Sequence, residues 1–161
     1  MADAPQQVFW RALAFSPFLM VRLQGSSEHS LPMTSVLDED IQPETIWFFT
    51  TKDNRLAAGG PAMAQFISRG QDLFACISGV ITAEDDPHVI DHLWSSTVAE
   101  WYEQGRADPA LHVLRMTLDD MEIWSAAPSN KGWFRRMTHD AVAAGDAWQH
   151  VHEGVATEGS G

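Results

Sequence analysis

Apolar side chains recur along this chain with two periods, and the periods divide it into elements. In "PQQVFWRALAF", residues 5 to 15, Val8, Phe9, Ala12 and Leu13 share one side at helical spacing and Pro5 suits a first turn, which predicts an amphipathic opening helix. "FLMVRLQ", residues 18 to 24, reads as a strand stopped by "GSSEH", and "SLPMTSVL", residues 30 to 37, as its partner. Pro32 cannot donate a ladder hydrogen bond, so it suits an edge, a bulge or a ligand-facing position. After the turn-rich "DEDIQPET", the apolar run "IWFFTT", residues 46 to 51, is a third strand.

Residues 52 to 60, "KDNRLAAGG", read as a loop with a short helical turn, and "AMAQFIS" as a fourth strand before "RGQD". "LFACISGVITAE", residues 73 to 84, is the longest strand expected. "DDPHVIDHLWSSTVAEWYEQG" has acidic caps, Pro87 near a helix start and Val89, Leu93, Trp94, Val98 and Trp101 at helical spacing, which fits two short helices. "ALHVLRMTL" and "DMEIWSA" then alternate apolar with polar residues and are expected to form a hairpin turning at "LDD". Hairpin-linked strands with few, peripheral helices predict a mainly β protein, a small antiparallel barrel rather than a βαβ sheet.

Composition narrows the functions this fold could carry. A chain of 161 residues, 45% hydrophobic, with seven tryptophans and eight phenylalanines, suits one packed domain. Its 22 acidic against 10 basic residues give a net charge of −12, a field that repels polyanions and disfavours nucleic acid as a partner. An anionic ligand would need a local basic pocket. Cys76 is the sole cysteine, which excludes an intrachain disulfide and leans towards a reducing compartment. With neither a basic leader before an apolar run nor a membrane-length apolar segment, the expected location is the cytoplasm. The terminal "EGVATEGSG" is expected to fray.

Against that background "TTKDNR" stands out. Thr50, Thr51, Lys52, Asn54 and Arg55 offer hydroxyl, amide and cationic donors at a strand end, the inventory a phosphate needs, although a polar turn capping an apolar strand has the same composition. His88 and His92, at i and i+4 with Asp91 nearby, have the spacing of a metal pair, but no third ligand follows at a recognisable spacing, and a solvated helix face is the plainer reading. His150 and His152 are read the same way, and no metal is expected. "NKGWFRRM" interleaves Lys131, Arg135 and Arg136 with Trp133 and Phe134; it suits a cover over an anion or a subunit contact, or a C-terminal helix docked with its cations in water. Cys76, mid-strand without basic neighbours in sequence, reads as a buried inert thiol. Neither a nucleophile elbow nor a phosphate loop is present.

Taken in series, "LPMTS", "IWFFTTKDN", "LFACISG", "DDPHVIDHLWSSTVAEWYEQGRADPALHVLRM" and "EIW" resemble, in order and spacing, the bacterial general stress proteins of the pyridoxamine 5'-phosphate oxidase-like, flavin-binding split-barrel group. Each motif alone is weak; the ordered set, over roughly residues 7 to 125, is specific. The resemblance implies a split barrel over residues 1–126 that forms a homodimer with flavin clefts at the interface. Beyond the resemblance, residues 127–161 are expected to form a C-terminal tail, partly helical, packing on the barrel or the partner subunit. It implies FMN, or FAD, as cofactor, and an FMN-dependent oxidoreductase of unknown substrate in which the cofactor carries the chemistry. The flavin-binding positions it implies are Leu31, Pro32, Met33 and Thr34 beside the ring, Phe49, Thr50 and Thr51 at the ring edge and ribityl chain, Lys52, Asn54 and Arg55 near the phosphate, and Trp101. The sequence departs from the family at Leu31, where the family carries an arginine on the phosphate, and at Leu56, where many relatives carry a lysine. Leucine cannot replace a bidentate charged fork. The departures therefore keep a second expectation open: a non-catalytic dimer that binds flavin or another small ligand and has weakened or lost FMN binding.

Overall fold

The computed structural model describes residues 4–126 and 134–141. Helix α1 (Pro5–Phe15) opens on a proline and lays Phe9 and Leu13 into the core, where Phe9 meets Phe66 edge to face at 5.6 Å. Seven strands follow: β1 (Phe18–Leu23), β2 (Leu31–Thr34), β3 (Thr45–Thr51), β4 (Gly60–Ile67), β5 (Leu73–Ala83), β6 (Leu111–Ala126) and β7 (Phe134–Ala141). A 3₁₀ turn (Arg55–Ala58) joins β3 to β4, and α2 (Pro87–Leu93), α3 (Ser96–Ala99) and a further 3₁₀ turn (Gly105–Ala107) lie between β5 and β6.

Every strand pairing is antiparallel, in the order β2-β1-β4-β5-β6-β3, with β7 added on β6. The sheet curls until its two ends touch at one bridge, where the Val36 and Trp47 backbones exchange hydrogen bonds of 2.8 and 3.0 Å. The result is a nearly closed, split barrel: the element order predicted a small antiparallel barrel, and the resemblance implied the split. Its interior takes the inward residues of the six strands, among them Leu19, Val21, Met33, Ile46, Phe48, Ala64, Phe66, Ile77, Leu114 and Met116.

The expected hairpin at "LDD" does not form. Residues 111 to 126 are one strand, and "LDD" is a bulge within it: Ser78 pairs with Asp120 and Gly79 with Leu118, leaving Asp119 as the extra residue. Parity gives the reason. Leu114, Met116 and Leu118 face the core before the bulge and Met121 and Ile123 after it, so the inserted residue resets the two-residue alternation and keeps one face inward. Ser78 donates to Asp119 Oδ1 at 3.1 Å. Gly79 is required there, because a Cβ would sit 2.3 Å from the Thr117 carbonyl oxygen. In the tail, Phe134–Ala141 is a strand; the other tail positions assigned to a helix or to metal binding, Lys131, Trp133, His150 and His152, lie outside the described residues.

Candidate functional site

The feature that organises the site is the split. Beyond the Val36–Trp47 bridge, β2 pairs only with β1 and β3 only with β6, so the two facing edges leave backbone donors and acceptors without ladder partners among the described residues. Counted along both strands from the bridge, Thr34 stands across from Phe49, Met33 from Thr50, Pro32 from Thr51 and Leu31 from Lys52. All four β2 candidates and the β3 candidates thus line one opening.

Their side chains divide between its faces. Leu31 and Met33 turn towards the barrel core, with Leu31 half-buried against it, while Pro32 is exposed, consistent with its edge position opposite Met20. Asn54 ties the opening together. Its Oδ1 accepts from the Leu56 N–H at 2.7 Å and caps the 3₁₀ turn, and its Nδ2 donates to Thr50 Oγ1 at 2.9 Å and approaches Met33 Sδ at 3.7 Å. Thr51 donates its hydroxyl to Asp53. Arg55 extends from the turn to the β1–β2 loop, where Nη1 donates to the His29 carbonyl at 2.7 Å. Lys52 is exposed and pairs with no described residue. Leu56 is wholly buried in the barrel core.

Phe49 and Trp101 are placed differently from the rest. Phe49 faces out of the barrel, 7% exposed, in a second apolar cluster formed with Trp47, Ile90, Leu93, Val98, Tyr102 and Val113, and meets Trp94 at 6.0 Å. Trp101 follows α3 with 44% of its surface exposed. Its neighbour Tyr102 is buried and donates its hydroxyl to the Thr50 carbonyl at 2.7 Å, fixing the end of β3. Burial, with the Asp108 carboxylate second, pushes the Tyr102 pKa up to about 12, so this phenol stays a donor at neutral pH.

Two features went unread in the sequence. Glu84, 7% exposed, accepts from Trp47 Nε1 at 3.0 Å and lies 3.4 Å from Arg115 Nη1, a buried polar link between β3, β6 and the end of β5. No motif joins these three distant residues. The second is a cleft of about 290 Å³ beside the end of β3, lined by Lys52, Glu84, Asp85, Arg106, Asp108 and His112 among others. It shares Lys52 with the split but none of the β2 candidates.

The remaining candidates lie elsewhere. His88 and His92 are exposed on α2, with His92 Nε2 2.9 Å from Asp38 Oδ2, and no three metal-ligating side chains cluster among the described residues. Cys76 is half-buried on the outer face of β5, with Gln65 Nε2 at 3.7 Å, which corrects the expectation of a buried thiol: strand parity turns it away from the core that holds Ala75 and Ile77. No helix among the described residues is long and apolar enough to cross a membrane.

The family model described as pyridoxamine 5'-phosphate oxidase like matches residues 7–147. Among solved structures, the chain is similar to the general stress FMN/FAD binding protein of the phytopathogen Xanthomonas citri, with 42% identity over 76% of this chain and 89% of that one and a TM-score of 0.70. It is also similar to a protein assigned to the general stress family from Xanthomonas campestris pv. campestris, with 40% identity over 76% and 88% and a TM-score of 0.66. A pyridoxamine 5'-phosphate oxidase-related, FMN binding protein of Nostoc punctiforme shares the fold at 9% identity over 95% and 100%, with a TM-score of 0.58. Among curated proteins, none matches the chain.

Proposed function

Because the chain belongs to the pyridoxamine 5'-phosphate oxidase like family, we propose that it binds a flavin, FMN or FAD, at the β2–β3 split and acts as a flavin-dependent oxidoreductase. The observation that carries this reading is the split itself: two facing strand edges with unspent backbone donors and acceptors, braced by Asn54, with cations at one end. That donor set fits a flavin. Backbone groups of residues 31–34 and 49–51 would meet the polar edge of the ring, Thr50 and Thr51 the ribityl chain, and Lys52 and Arg55 a phosphate. When bound, the flavin would supply the electron transfer, and the chain's own residues would orient it and exclude water. Its 42% identical relative is described as an FMN/FAD binding protein, which supports the same ligand here.

The proposal includes a homodimer. Phe18, Met20 and Ile67 are 61%, 43% and 59% exposed on the outer face of β1 and β4, beside the exposed Pro32 of β2. Contiguous apolar surface of this kind is typical of a subunit contact, and it adjoins the strand that borders the split. Trp101 is the aromatic that would reach a cleft from the partner, and a cytoplasmic location completes the reading.

Leu31 and Leu56 favour one alternative, a non-catalytic dimer that binds flavin or another small ligand and has weakened or lost FMN binding. Both side chains are apolar, Leu56 wholly buried, where the resemblance implies an arginine at 31 and, in many relatives, a lysine at 56. Titration of the flavin-free protein with FMN, followed by the quenching of the flavin's fluorescence, tests binding; sedimentation tests the dimer. Oxidation of a reduced nicotinamide by the loaded protein then separates the two readings. Turnover supports the oxidoreductase, and weak or absent FMN binding without turnover supports the alternative.

A further inference from the structure

We infer that the cleft beside the end of β3 takes the adenylate half of a dinucleotide, so that this protein holds FAD in preference to FMN; the inference rests on the flavin reading above. The cleft is lined from α2, the second 3₁₀ turn and the start of β6, and Lys52 belongs both to it and to the split. Its volume of about 290 Å³ falls just below the roughly 300–1,000 Å³ of sites that enclose a whole drug-sized ligand. It therefore suits a fragment, one sugar with one heterocycle, continuing from a ligand anchored next door. FAD is FMN extended from its phosphate by an adenylate, and Lys52 is the residue read above as a phosphate partner.

The donor set gives the class of ligand. Lys52, Arg106 and His112 line the cleft with Glu84, Asp85 and Asp108, but these groups are not equally committed. Glu84 accepts from Trp47 Nε1 at 3.0 Å and lies 3.4 Å from both Arg115 Nη1 and the Asp86 N–H. Asp108 accepts from the Ala110 N–H at 2.9 Å on one oxygen and from the Gln104 N–H at 3.1 Å on the other. Lys52 and His112, by contrast, pair with no described residue, and the 2.6 Å bond from Arg106 Nε to Asp91 uses one of the guanidinium's five donors. The capacity left in the cleft is mostly that of donors, with the exposed Asp85 as the carboxylate that pairs with no described residue. In a chain of net charge −12, cations left uncompensated at a cleft favour an anion. A bare phosphate would use the cations and leave Asp85 and the half-buried His112 ring without a role. An adenylate matches the whole set: phosphate for Lys52 and Arg106, sugar hydroxyls for Asp85, and a base for the imidazole face.

The test is a calorimetric titration of the flavin-free full chain with FMN and with FAD, repeated on His112→Ala and Arg106→Gln, with thermal unfolding as a check on folding. The unmodified protein is expected to bind FAD about tenfold more tightly than FMN, the gain of one stacked base and one charge-assisted contact less the cost of ordering the adenylate. Each substitution is expected to weaken FAD by roughly fivefold to tenfold and FMN by less than about twofold, and a selective loss in either variant supports the inference. FAD binding no tighter than FMN in the unmodified protein would overturn it and leave the flavin reading standing. Equal losses for the two flavins, or full FAD affinity in both variants, would overturn it as well, since His112 and Arg106 would then be structural. If the unmodified protein binds neither flavin, the flavin reading itself fails.

Discussion

The two faces of β3 are built on different principles. Inward, Ile46 and Phe48 join a barrel interior in which close packing does the holding, apolar side chain against apolar side chain. Outward, Trp47 and Phe49 enter the helical cluster, where polar contacts fix positions: the Trp47 indole on Glu84, and the Tyr102 hydroxyl on the Thr50 carbonyl. The inner face makes the barrel stable. The outer face sets where the strand bordering the split ends, so the site depends on its hydrogen bonds more than on the barrel's volume.

Four substitutions test that division, in order of decreasing effect. Gly79→Ala strikes the barrel at its bulge, where the new methyl meets the Thr117 carbonyl; a loss of about 3 kcal/mol is expected from denaturant unfolding, and a loss under about 1 would mean the bulge is soft. Trp47→Phe removes the N–H on Glu84 and leaves a void where the second ring of the buried indole packed, and the two losses should cost about 1–3 kcal/mol. An unchanged unfolding midpoint would mean that neither the hydrogen bond nor the indole's packing holds the outer face.

Tyr102→Phe should cost about 1 kcal/mol at neutral pH. The folded-state pKa of Tyr102 lies near 12 against 10.0 for the free side chain, so the unfolded chain loses this proton first as pH rises. The stabilisation is therefore complete below pH 10 and falls away as pH climbs towards 12, and the Phe variant should lack this part of the alkaline loss. Parallel alkaline unfolding curves for the two proteins would contradict the assignment. Lys52→Ala should change stability by less than about 0.5 kcal/mol, since the side chain is exposed and pairs with no described residue, while weakening FMN more than riboflavin. An unfolding shift beyond that range would give Lys52 a structural role.

Much of the fold was legible because its signals are local. Period and punctuation located α1, the first five strands and the two short helices within a few residues. The hairpin at "LDD" failed for a nonlocal reason: an acidic pair and a broken alternation look the same in sequence whether the chain reverses or bulges. What decides is the glycine on the neighbouring strand. Gly79, in the middle of "CISGVIT", is the signal that would have found the bulge. At the site, "TTKDNR" and "LPMT" were legible as stretches, and they do border one opening. Their division into inward and outward faces was not, nor was the reach of Arg55 to His29, which joins residues 26 positions apart. Phe49 shows the limit most clearly: its strand borders the split, but its ring belongs to the helical cluster.

The central claim is that the split between β2 and β3 holds a flavin, and fluorescence titration of the flavin-free protein with FMN addresses it most directly. Saturable quenching at one FMN per chain is the result expected, accompanied by flavin absorption bands that stay with the protein through gel filtration. FMN fluorescence that remains unquenched, with a colourless protein recovered from the column, would contradict it.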